Sequence, residues 1–213
     1  MRSDRIELLA GPLAVLCWLL SVATIQGFGN PPEEEPTAAE LLAYFESDEN
    51  SLYVGSVFYF IGSGLLIWFG GLLRQAIAAA GLERLATTAF GALVAVAALS
   101  MGFLAPHLGA AFGANDAGTP LSPEAAQALW FAGDGFFVAA EFATAGLMAA
   151  AGLAILRSRF LPVWLGWFSF VVALILLFLP LGWLGFVAGL PLWILLVTFF
   201  LWKQAEPAPP SPG

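Results

Sequence analysis

The segment FLPVWLGWFSFVVALILLFLPLGWLGFVAGLPLWILLVTFFLW, residues 160–202, contains no charged side chain. One crossing of a bilayer core takes about 20 apolar residues, so this run is too long for one span and fits two. The break falls at Leu179-Pro180-Leu181-Gly182. Proline lacks an amide donor and glycine adopts dihedrals closed to other residues, so these four predict the turn of a tight hairpin. Pro191 lies inside the second half and leaves the carbonyl of Val187 without its helical donor, so a kink is expected there.

Working outward, four more apolar stretches of span length precede this pair. The expected spans run roughly Leu8–Phe28, Leu52–Leu73, Thr87–Pro106, Gly135–Leu156, Pro162–Leu179 and Gly182–Trp202. They are too long for barrel strands and lack the alternation of a barrel wall. Helices satisfy their own backbone polar groups in lipid, so the expected fold class is all-α, a polytopic bundle of six transmembrane helices. Residues 1–205 form one six-span domain on this reading, and 206–213 a disordered proline-rich tail. The first span follows Arg2 and Arg5 but exceeds a typical signal core and has no A-x-A pattern, so it reads as retained. Cys17 has bulky Leu16 before it, where lipid attachment would call for a small residue, and reads as a packing thiol.

Composition agrees. Of 213 residues, 60% are hydrophobic and 10% charged, against roughly 25% charged in soluble domains. Fifteen acids, seven bases and one histidine give a net charge of −8. That balance excludes a soluble enzyme, a disordered chain and a nucleic-acid binder. One Cys and one His cannot build an intramolecular disulfide, a CxxC pair or a conventional zinc or haem site. There is no HExxH, no glycine-rich phosphate loop and no G-x-S-x-G elbow. Residue counts allow a Ser-His-Asp triad, yet no serine is spaced as a nucleophile beside His107, which follows Pro106 at a predicted outer rim. An enzyme is therefore the least favoured class, and no catalytic residue, metal or cofactor is expected.

The bases set the orientation. Arg2 and Arg5, Arg74 and Arg84, Arg157 and Arg159, and Lys203 all fall on one side of a six-span path. Lys and Arg are retained on the cytoplasmic side, so both termini are expected in the cytoplasm and the chain in a plasma (inner) membrane. The first outer connection carries Glu33, Glu34, Glu35, Glu40, Glu46, Asp48 and Glu49, and the second Asp116, Glu124 and Asp134. These acids read either as a cation-attracting vestibule or, more plainly, as solvated loops whose field is screened. Trp68, Trp164 and Trp202 near inner ends, and Trp130 and Trp183 near outer ones, fit an interfacial belt. Trp18 and Trp193 sit deeper, as packing residues.

Two signals mark the connections. Thr37-Ala-Ala-Glu40 is a capping-box pattern, predicting a short helix over Leu41–Phe45 along the membrane surface. Ser122-Pro123 predicts a helix start, with a short helix to about Phe131 and Gly133-Asp134-Gly135 bending the chain into the fourth span. Gly185-x-x-x-Gly189 and Gly62-Ser63-Gly64 read as close-packing patterns.

One polar constellation stands out. Glu141 is the acid clearly inside a span, roughly 10 Å below Asp134 at 1.5 Å per residue. Asp134 and Glu141 are seven apart and share a helix face with Thr144 and Met148. Ser100 precedes His107 by the same interval on the antiparallel third span. If the two spans face each other, His107 meets Asp134 at the rim and Ser100 meets Glu141 below. Gln26, Ser56 and Tyr59 are further hydrogen-bonding candidates. With no base inside the membrane, Glu141 reads as a protonated or watered carboxyl. It is a proton or cation site by default for an intramembrane acid, or else the donor of one interhelical hydrogen bond.

Several stretches resemble uncharacterised bacterial multi-helix membrane proteins that carry only a domain-of-unknown-function label. They are Ala39-Glu-Leu-Leu-Ala-Tyr-Phe45 after the acids, Leu65-Leu-Ile-Trp-Phe-Gly-Gly-Leu-Leu-Arg74, Thr88-Ala-Phe-Gly91, Leu161-Pro-Val-Trp-Leu-Gly-Trp167 and Pro180-Leu-Gly182. Val163 stands where that pattern often has a base. The resemblance implies a six-helix bacterial plasma-membrane protein and brings no activity, ligand or catalytic residue. Two functions remain open. One is a non-catalytic membrane module acting through protein or lipid partners, with a homo-oligomer also allowed. The other is a small proton- or cation-coupled transporter or channel subunit using Glu141.

Overall fold

The computed structural model describes residues 6–29, 31–32, 36–115, 118 and 120–205. Arg2, Arg5, Glu33, Glu34, Glu35, Asp116 and the proline-rich tail lie outside them. The described residues form helices and no strands. In chain order these are α1 (Ala10–Gly27), α2 (Ala38–Ser47), α3 (Glu49–Ala79), α4 (Glu83–Asn115) and α5 (Pro123–Ser158). They continue with α6 (Val163–Leu177), α7 (Leu179–Leu184), a π-helical turn (Gly185–Gly189) and α8 (Leu190–Gln204). Five helical stretches are long and apolar enough to cross a membrane: α1, α3, α4, α5 and the run Leu179–Gln204. The sixth expected span, α6, is a shorter apolar helix of 15 residues.

Consecutive long helices pack antiparallel, and the last returns to the first. Trp18 of α1 enters the notch at Gly62 of α3, and its Nε1 donates to Ser63 Oγ at 3.4 Å. Gly70 of α3 receives Leu93 of α4. Phe103 of α4 meets Phe137 of α5 with ring centroids 5.3 Å apart. Gly152 of α5 lies against the Gly166 carbonyl of α6. Trp193 Nε1 of α8 donates to Ser169 Oγ of α6 at 2.8 Å. Gly11 of α1 touches Thr198 and Ile194 of α8, which closes the ring. In lipid there is no water to drive helices together, so such glycines matter because they let van der Waals surfaces meet. The centre holds Leu66, Phe69, Leu147, Met148 and Trp193, all buried.

The capping box forms as expected. Thr37 N–H donates to Glu40 Oε2 at 2.7 Å, and Glu40 N–H donates to Thr37 Oγ1 at 3.3 Å. The helix it starts does more than lie on a surface. Leu41, Tyr44 and Phe45 are buried against Leu52, Ala110, Ala111 and Ala126 at the ends of α3, α4 and α5. The described bases sit at the opposite end. There Arg74 pairs with Glu83 at 2.6 Å, and Arg159 and Lys203 flank one surface groove.

Three local expectations need correction, and the surroundings of Pro191 gain a detail. The chain does not bend at Gly133-Asp134-Gly135, because α5 is one helix from Pro123 to Ser158. Gly133 serves close approach instead: a Cβ there would stand 2.7 Å from the Phe103 carbonyl and 2.6 Å from His107 Nε2. The helix of the third expected span does not stop at Pro106. That residue lies inside α4, which runs on to Asn115 and buries His107 rather than leaving it at a rim. The hairpin break is the extended residue Phe178, one position before the predicted four. Pro180 occupies the first turn of α7, where a missing amide donor costs nothing. Before Pro191, where the kink is expected, the helix widens into the π turn, and Leu190 N–H reaches back to the Gly185 carbonyl. Gly185 and Gly189 both face α6, at Leu176 and Val172, as a packing pattern should.

Candidate functional site

At the end that carries α2, the ring of helices is not filled. One cavity of about 220 Å3 lies between α1, α5 and the π turn, walled by Trp18, Tyr59, Phe103, Phe137 and Phe186. A second, of about 190 Å3, lies beside it toward α2 and adds Tyr44, His107, Trp130 and Asp134. The two share Val22, Gln26, Tyr59 and Phe103 in their walls and so adjoin. The opening follows from packing. α1 and α8 touch at Gly11 and Thr198. Toward the α2 end they are separated by the stack of Trp18 on Phe186, 6.0 Å between centroids. The rim there is Leu19 and Val187, 59% and 52% exposed. A π turn commonly marks a functional position in a helix, and here it carries Phe186 and Val187 into the wall.

The polar groups of the second cavity are held from several sides. The His107 ring lies 4.8 Å from Trp130 and 5.3 Å from Phe103 between ring centroids. In its Nε2–H tautomer it donates to the Trp130 carbonyl at 3.4 Å. Tyr59 is buried under Trp18 at 5.7 Å, and its hydroxyl approaches Ser100. Burial, and secondarily the Asp48 carboxylate, pushes the Tyr44 phenol well above its usual range, so it lines the wall as a neutral hydroxyl. Asp134 is half-buried and has no ion-pair partner among the described residues. Among the described residues no Lys or Arg lines either cavity.

The two predicted rungs do not form. His107 turns to the Trp130 carbonyl rather than to Asp134, although both line one cavity. Among the described residues, Ser100 Oγ is buried with no hydrogen-bond partner, and so is Ser56 Oγ. Glu141 is 3% exposed, and its carboxyl lies against Gly182 of α7, where a Cβ would be 2.6 Å from Oε2. The reason is register. Phe103 of α4 sits opposite Phe137 of α5, and one helical turn further along α5 the Glu141 carboxyl faces Gly182 of α7. Among the described residues the Glu141 carboxyl forms no hydrogen bond or ion pair, and it lines neither cavity.

No family model, curated protein or solved structure matches this chain. What it does must be read from its own residues.

Sequence reasoning placed Tyr59, His107, Asp134 and Gln26 among the candidates and missed the aromatic half of the site. Trp18 reads as packing, and Trp130 as interfacial. Yet Trp18 walls one cavity and Trp130 the other. A signal was available in Phe103 and His107, four apart and therefore on one helix face.

Proposed function

We propose that this chain is a plasma-membrane protein with six crossings and cytoplasmic termini, and that it works as a non-catalytic binding module. The observation that carries this reading is the pair of adjoining cavities opening sideways past Leu19 and Val187, with Glu141 outside both. A transporter built on Glu141 needs a wet path to that carboxyl. Here the carboxyl is packed on Gly182 instead. In favour of α6 as a crossing, it lies beside the last helices along its whole length. Contacts run from Trp164 with Phe200, through Ser169 with Trp193, to Leu176 with Gly185. The resemblance to bacterial six-helix membrane proteins is compatible with this reading.

The test is ion flux in proteoliposomes under imposed pH and cation gradients, for wild type and Glu141→Gln. A binding module gives no flux above empty vesicles in either protein. Flux present in wild type and lost in the variant, with both folded, would replace the module with a proton- or cation-coupled transporter.

A further inference from the structure

The adjoining cavities differ in polarity, and the difference points to a ligand. The one beside the π turn is walled by aromatic and aliphatic side chains and opens between exposed residues of α1 and the last helices. The one toward α2 ends on Tyr44, Tyr59, His107 and Asp134. Tyr59 and His107 are both more than nine-tenths buried while lining it. Among the described residues, Asp134 is the one charged side chain in either wall. An ionised carboxylate without a counter-charge in a part-buried site is costly, and a bound cation offsets that cost. Aromatic faces beside it add a second attraction, since the ring quadrupole is negative over its face. Trp130 and Tyr44 line the same wall as Asp134, with ring centroids 6.1 Å apart. The described bases lie at the far end of the bundle, and among the described residues no Lys or Arg lines either wall, so a phosphate-headed lipid would find no partner here and would face Asp134.

We propose that these cavities bind a monovalent organic cation, an ammonium group carried on an apolar or aromatic body. The charged head lies by Asp134 beside Tyr44 and Trp130, and the apolar body lies against the wall formed by Trp18, Phe137 and Phe186. Entry is lateral, past Leu19 and Val187. This inference rests on the binding-module reading and names the ligand class of its site.

The probe is benzyltrimethylammonium, compared with neopentylbenzene, its isostere with carbon in place of the charged nitrogen. Binding is measured by equilibrium dialysis against the full chain in nanodiscs of neutral lipid, with empty nanodiscs as blank. The expected result is saturable binding of the cation at least tenfold tighter than the isostere. Asp134→Asn should remove most of that preference while leaving isostere binding unchanged. Val22→Trp, which fills space shared by both cavities, should abolish binding of both probes with the thermal unfolding midpoint retained. Equal affinity for the two probes would overturn the cation assignment and leave the binding-module reading standing. Saturable binding of neither probe would overturn the assignment of these cavities as the site. A cation preference that survives Asp134→Asn would overturn the role given to that carboxylate. Vesicle flux that depends on Glu141 would instead refute the module reading, so the two failures are told apart.

Discussion

Two glycines that flank Asp134 look alike in sequence and differ completely in the bundle. A Cβ at Gly133 would press on the Phe103 carbonyl, a backbone atom that cannot swing aside, whereas a Cβ at Gly135 meets nothing within 4 Å. Gly133→Ala should therefore cost about 1–3 kcal/mol as overpacking. Gly135→Ala should be neutral or stabilise by up to about 1 kcal/mol, the helix-propensity gain. Thermal unfolding of the two variants in detergent checks this, and equal midpoints would contradict the close crossing at Gly133. Glu141 and Gly182 make a second residue-scale case. The three atoms nearest to a Cβ at Gly182 belong to the end of the Glu141 side chain. Gly182→Ala should thus be destabilising alone and nearly neutral in a Glu141→Ala background. A coupling of about 1 kcal/mol, within the range for residues in contact, is the expected result of that double-mutant cycle. Additive effects would place the carboxyl elsewhere. Glu141 was legible in the sequence as an intramembrane acid, but its neighbour was not, because Gly182 carries no side chain to announce a contact.

Among the elements, α2 has the plainest sequence signal and the most local physics. Its box holds the Glu40 carboxyl below the usual carboxylate range, through the Thr37 backbone N–H first and then its hydroxyl. A carboxyl lowered in the folded state stabilises above its unfolded pKa, and that contribution is lost as pH falls through the folded value. Hydrogen exchange at the first-turn amides of α2 should therefore quicken as pH drops through the low carboxylate range, beyond the intrinsic change in exchange rate. Thr37→Ala should quicken it at neutral pH about fivefold, as befits the ~1 kcal/mol typical of a lost cap. Unchanged protection in the variant would mean that burial of Leu41 and Phe45 alone holds the helix. The starts of α2 and α5 were readable because a cap is a contact between residues three apart. Where α4 ends was not. Pro106 looks like a stop, yet in a packed bundle a helix tolerates proline when neighbours support the backbone around it. Contacts of Phe103 and His107 with α2 and α5 carry α4 past that point.

For the whole molecule, the ring of helices sets what orientation means. If α6 crosses along with the five longer runs, both ends of the chain emerge on one side. At 15 residues and about 1.5 Å per residue it is short of a core roughly 30 Å thick, so its flanks must complete the crossing. Reporter fusions at each terminus test this: activity of a cytoplasm-dependent reporter at both ends is expected. A cytoplasmic N-terminus with an exported C-terminus would reduce the count to five and leave α6 as a non-crossing helix. In the proposed orientation the basic end, where Arg159 and Lys203 flank one groove, faces the cytoplasm.

The sequence by itself determined that the described chain is helical, where α2, α5 and α6 begin, and that the described bases gather at one end. Those follow from composition, from period and from contacts a few residues apart, all of which are local. The tertiary structure alone decided that Glu141 meets Gly182, that His107 turns to Trp130, and that space remains between α1 and the last helices. Each of these depends on register and rotation between helices distant in sequence, set by which glycine admits which ring. In a bundle whose faces are nearly all apolar, hydrophobic pattern cannot tell a buried face from a lipid-facing one. Steric fit between helices makes that choice.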